Sequence, residues 1–148
     1  MLKRLALAAG VAGTLLLGAP AVAGESTKAG EFTIYHSAFN AENLTPEIAA
    51  AYKIQRSKYM GVLNVSVIRE RPKAIGTPVK ALVDVDLAEG KDRKQSIAMH
   101  EVESDGGVSY LGEFPIADGQ ELEFEIRVRP TGVDETTVVL MKQEFFTE

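Results

Sequence analysis

From position 121 to 129 the chain alternates without a break. Leu122, Phe124, Ile126 and Val128 fall on one side, and Glu121, Glu123, Glu125, Arg127 and Arg129 on the other. A period of two marks a strand with one buried and one wet face. Val79, Ala81, Val83, Val85 and Leu87 repeat the pattern against Lys80, Leu82, Asp84 and Asp86. Apolar and β-branched runs predict further strands over 32–39, 62–68, 95–103, 108–114 and about 134–146. Turn residues separate them: two prolines and a glycine over 71–78, a charged run over 89–94, Asp105-Gly106-Gly107, Asp118-Gly119 and Pro130-Thr131-Gly132.

One segment breaks the pattern. Asn40 and Asn43 favour a turn. Thr45 then offers a helix cap, Pro46 suits the first helical position, and Glu47 complements the positive end of the helix dipole. Ile48, Ala51, Tyr52 and Gln55 share one face, so the spacing predicts about two turns of helix packing that stripe inward. Seven strands with one short helix near the N-terminus predict an all-β, immunoglobulin-like sandwich. A small β-barrel is the alternative, since strand spacing does not decide whether a sheet closes.

The first residues follow another logic. Lys3 and Arg4 precede an apolar run over 5–17, and Ala21-Val22-Ala23 supplies a small-x-small site. These features predict a secretory signal peptide over 1–23, cleaved after Ala23. A single domain over 24–148 would then work in the periplasm. Losing two of 16 basic residues against 21 acidic ones takes the net charge from −5 to −7. Such acidity argues against nucleic acid, which needs a basic footprint. The chain has no cysteine, so the apolar core must hold the fold without disulfides, and thiolate chemistry is excluded.

Nothing in the sequence spells a catalytic site. It has no Gly-x-Ser-x-Gly elbow and no glycine-rich phosphate loop. His36 and His100 are potential metal ligands together with Met60, Met99 or Met141, the soft donors that copper favours. No His-x-His or Met-x-Met spacing brings them together, so the sequence predicts neither metal site nor cofactor. Asp84 with Asp86, and Glu121 with Glu123 and Glu125, read as solvated strand faces. Tyr35, Asn40, Tyr52, Arg56 and Asn64 surround the helix segment. They are expected to hydrogen-bond it to the sheet, or to line a ligand pocket.

Several runs carry a resemblance: Tyr35-His36-Ser37-Ala38-Phe39-Asn40, Leu44-Thr45-Pro46-Glu47, 51–58, Leu63-Asn64-Val65-Ser66-Val67, 110–115 and Gln143-Glu144-Phe145-Phe146. Together they resemble an uncharacterised family of small bacterial envelope proteins, domain of unknown function 4426. The resemblance implies a secreted β-rich domain and brings no activity or site residue with it. The charged turn over 87–95 departs from the family pattern.

The last hairpin bears on partners. A tight turn between Thr131 and Gly132 would set Arg129 opposite Asp134, Ile126 opposite Thr137, Phe124 opposite Val139 and Leu122 opposite Met141. Val138, Leu140 and Phe146 then lie on the outer face, where polar residues belong. Either the helix region or a neighbouring strand covers them, or they form a partner surface or dimer seam. The sequence therefore predicts a non-enzymatic domain that binds another envelope protein or peptide, or itself. A small-molecule or metal carrier is the rival reading.

Overall fold

The structure, a computed structural model, describes residues 24–91 and 93–147. The expected signal peptide lies outside them. Ten strands form: β1 (Glu25–Ala29), β2 (Phe32–Asn40), β3 (Met60–Arg71), β4 (Ala74–Pro78), β5 (Ala81–Glu89), β6 (Arg93–Ile97), β7 (His100–Ser104), β8 (Gly107–Pro115), β9 (Gln120–Pro130) and β10 (Thr137–Phe145). Helix α1 (Pro46–Ala51) lies between β2 and β3.

The strands make two antiparallel sheets. One runs β1-β2-β3-β8-β7 with β4 also on β3, and the other runs β10-β9-β5-β6. Neither closes, so the molecule is a sandwich and not a barrel. The connectivity is that of an immunoglobulin domain. β2-β3-β8-β7 occupy the A-B-E-D places and β10-β9-β5 the G-F-C places, with β6 beside C. β1 and β4 are additions to the first sheet.

Alternation fills the space between the sheets. Ile34 and Ala38 from β2, Leu63, Val65 and Val67 from β3, and Leu122, Phe124, Ile126 and Val128 from β9 are all buried there. At one end three rings meet edge to face, Phe114 with Phe124 at 5.1 Å and Phe114 with Phe145 at 5.5 Å between centroids. Each such pair adds roughly 0.5–1.5 kcal/mol beyond its buried area.

Among the described residues ten strands form where seven are expected, for three reasons. β1 is short and mostly exposed, so it shows no apolar alternation. Gly30, at φ 62°, turns it back onto β2. β4 hides in the proline-punctuated stretch because it pairs only with the distal end of β3. The strand expected over 95–103 is two strands: the chain leaves the second sheet after Ile97 and enters the first at His100.

The last hairpin also differs. Thr137 pairs with Val128, Val139 with Ile126 and Met141 with Phe124, a shift of two residues from the expected register. The turn is wider than two residues, with Val133 N–H bonded to Pro130 O. A shift of two preserves which face each side chain occupies, so Val138 and Leu140 remain outside.

Candidate functional site

The outer face of the second sheet is laid out by strand register. Val138 sits beside Arg127, Leu140 beside Glu125 and Lys142 beside Glu123, while Asp84, Asp86 and Ala88 flank the same β9 residues on the far side. Asp86, Glu123 and Glu125 are tied to cations. Arg127 Nη1 lies 3.2 Å from Asp86 and 3.3 Å from Glu125, Lys94 Nζ 3.4 Å from Glu125, and Lys142 Nζ 3.3 Å from Glu123. This is a solvated ion-pair network, as alternation predicts, and it leaves these carboxylates committed to cations rather than poised as an acid and a base.

Beside that network the apolar side chains stand free. Leu140 is 77% exposed, Phe146 56% and Val138 51%. A groove of about 310 Å³ runs past Leu140, Lys142, Glu123 and Ala88. The helix does not cover them, because the segment carrying α1 packs on Val62 and Leu111, on the outer face of the other sheet. β10 is an edge strand. Phe146 lies just past it, with its carbonyl accepting from Asn40 Nδ2 at 2.7 Å.

The helix segment builds a second, smaller core. Thr45 Oγ1 accepts from Ile48 N–H, as the cap signal predicts. The inward face is not the expected one. Ile48, Ala51 and Gln55 are exposed and Tyr52 is half-buried, whereas Ala49 and Ile54 are buried. The helix stops after one and a half turns, so the predicted stripe never completes. Its end is a Schellman motif, with Ile54 N–H on Ala49 O at 2.8 Å and Lys53 N–H on Ala50 O at 3.2 Å. Lys53 holds φ 60° there, in the left-handed region that favours glycine. Lys53→Gly is therefore expected to raise stability by up to about 1 kcal/mol, read as a higher urea midpoint at unchanged slope.

The residues proposed for a ligand pocket are only partly gathered. Tyr52 and Asn64 line a small cavity of about 130 Å³ beneath the segment, with Leu44, Ile54 and Leu111. Asn64 Oδ1 is buried there without a hydrogen-bond partner. A larger cleft of about 430 Å³ opens on the other side of Tyr52 and Ile54, toward His100 and Glu113. Arg56 instead donates to Glu42 O, Asn40 ties down the C-terminus, and Tyr35 is exposed on a neighbouring row.

The structure also joins two residues that sequence spacing leaves 105 apart. His36, in β2, is buried, and its Nδ1 lies 3.4 Å from Met141 Sδ in β10. Thr27 Oγ1 is 3.2 Å from its Nε2, and Glu25 Oε1 3.9 Å from Nδ1. Among the described residues no three histidine or acidic side chains converge as metal ligands, and His100 is exposed, apart from His36. Only the pairing of β1 with β2, and of the two sheets with each other, reveals this cluster.

Burial pushes the His36 pKa below its usual 6.5, with the Glu25 carboxylate opposing the shift. The fold thus favours the neutral ring, while the unfolded chain protonates near the ordinary value. Stability is fully present above about pH 6.5 and is lost as pH falls toward the lower folded value. Urea midpoints should drop between pH 7.5 and pH 5.5, and His36→Gln should flatten that part of the drop.

The DUF4426 family model, a domain of unknown function, matches residues 26–148. The fold is similar to the crystal structure of a DUF4426 family protein from Pseudomonas aeruginosa PAO1, with TM-score 0.72 and 26% identity, over 84% of this chain and 96% of that one. It is also similar to FetP of uropathogenic E. coli strain F11, a protein recombinantly expressed in the periplasm of E. coli, with TM-score 0.58 and 13% identity, over 84% and 95%. The second likeness shows the fold alone. No curated protein matches the chain significantly.

Proposed function

The chain belongs to the DUF4426 family, and we propose that it is a non-enzymatic periplasmic binding module whose partner docks along β10. The partner is another envelope protein or an extended peptide. One observation carries the reading: Leu140 stands 77% exposed in the middle of a nine-residue edge strand. An edge strand offers unpaired backbone groups to an incoming chain. Added as a further strand, a partner gains main-chain hydrogen bonds, while Val138, Leu140 and the groove beside Lys142 select its side chains. Residues 137–145 contain no proline that would blunt this edge.

Other features agree with that reading. A net charge of −5 disfavours nucleic acid. The basic, apolar and small-residue regions over 1–23 support export, and no helix among the described residues is long and apolar enough to cross a membrane. A homodimer through β10 is the simplest variant of the proposal. A small-molecule carrier is the second reading, favoured by the unpartnered Asn64 Oδ1 in the cavity beneath α1.

The test places a photo-crosslinking residue at Val138 and compares the otherwise unchanged protein with Leu140→Lys. Periplasmic expression should yield one dominant adduct, reduced at least about tenfold by the lysine, which buries a charge in a strand interface. Thermal unfolding should be unchanged, since the side chain is exposed. If the variant unfolds, or the adduct persists, Leu140 is not part of an interface and the reading fails.

A further inference from the structure

We propose that His36 Nδ1 and Met141 Sδ, with the Glu25 carboxylate at the rim, form a site for a soft monovalent cation of the copper(I) class. The imidazole nitrogen of His36 has two further kinds of donor beside it. The imidazole nitrogen and the thioether sulfur are 3.4 Å apart, and the carboxylate is 3.9 Å from the nitrogen. The ring and the thioether are buried, while the Glu25 side chain is 67% exposed, so it marks the way in from solvent. The Met141 side chain is buried and that of Leu140 exposed, so the two sites lie on opposite faces of β10, with Met141 also bordering the groove beside Leu140.

The spacing suits a shared ion. With bonds of about 2.0 Å to nitrogen and about 2.3 Å to sulfur, donors 3.4 Å apart subtend roughly 105° at a cation between them. That angle belongs to three- or four-coordinate geometry. The choice of ion follows from the donors. A thioether is a soft ligand that selects copper(I), and hard cations such as magnesium or calcium would reject it.

The outer partner also fits. Metal-binding histidines donate their second ring N–H to an oxygen that fixes the tautomer, and Thr27 Oγ1 lies 3.2 Å from Nε2. With the proton there, Nδ1 carries a free lone pair beside the thioether sulfur, with no hydrogen bond between them. The neutral ring favoured by burial needs no proton removed before it can bind. The opposite tautomer, in which Nδ1–H donates to Sδ, would make the contact purely structural, and the two assignments predict different behaviour.

The experiment is a titration of the protein with silver(I), and with copper(I) under reducing conditions against a competing chelator. Methionine methyl resonances are followed by NMR. One equivalent should bind, shifting the Met141 methyl and leaving Met60 and Met99 in place. Met141→Leu nearly conserves volume and should fold. It and His36→Gln should each weaken binding at least about tenfold, as loss of a ligand or its close support does. Glu25→Gln should weaken it a few fold, and His100→Ala not at all. Absence of stoichiometric binding, equal binding by Met141→Leu, or zinc bound as tightly as copper(I) would overturn the proposal. If Met141→Leu does not fold, the wild-type Met141 methyl decides: unmoved by silver(I), it ends the case for the site.

Discussion

Phe114→Ala should lower the unfolding free energy by about 3–5 kcal/mol, the range for deleting a buried aromatic ring. The upper half of that range is expected because the hole cannot close. Phe114 is 1% exposed and makes edge-to-face contacts with Phe124 and Phe145, so its removal strips both neighbours at once. The position facing it is Gly61, where a Cβ would fall 2.5 Å from the Phe114 ring. Glycine has no side chain to swing into the gap. Without a disulfide, no cross-link offsets the loss. Urea denaturation followed by circular dichroism measures it. A loss below about 2 kcal/mol would mean that the aromatic cluster relaxes and does not anchor the sandwich.

Gly112→Val should also destabilise strongly, for a different reason. Gly112, in β8, lies against the crossover over 97–99, and a Cβ there would fall 2.5 Å from Met99 Sδ, 2.6 Å from Ile97 Cγ2 and 3.0 Å from the Ala98 carbonyl. The sulfur can swing away, but the carbonyl belongs to the backbone of the crossover. Overpacking of this kind typically costs about 1–3 kcal/mol, and displacing the crossover adds the loss of β6–β7 order. Gly112→Ala should take the lower part of the range and Gly112→Val the upper. Hydrogen exchange should localise the damage to 93–104, with β9 and β10 protected as before. If both variants melt like the wild type, the crossover has slack and close approach is not why glycine stands there.

The candidate surface was half legible. Val138 and Leu140 stand out as apolar residues in the wet register of β10, and they stay there because the true register differs from the simplest one by an even number. That none of the described residues covers them could not be read, since the sequence does not say on which sheet α1 rests. The cap at Thr45 is a local matter and was readable. The buried face of the segment was not, because Ile54 is drawn in by Val62 and Leu111 beneath it.

By itself the sequence determined what depends on neighbours along the chain. Side-chain alternation set β5 and β9 with their inner faces, because a strand exposes successive residues to opposite sides whatever its partners are, and apolar runs set β2, β3, β8 and β10. Turn and cap residues set where the chain reverses. Tertiary structure decided what depends on distant partners. β1 and β4 bury too little to leave a pattern and exist only by pairing with β2 and β3. The break between β6 and β7 is decided by the two sheets, each competing for one end of the same apolar run. The meeting of His36 with Met141 is decided by the packing of β2 against β10. A contact across 105 positions leaves no periodic trace in the chain, since periodicity records only how each element is divided between core and solvent.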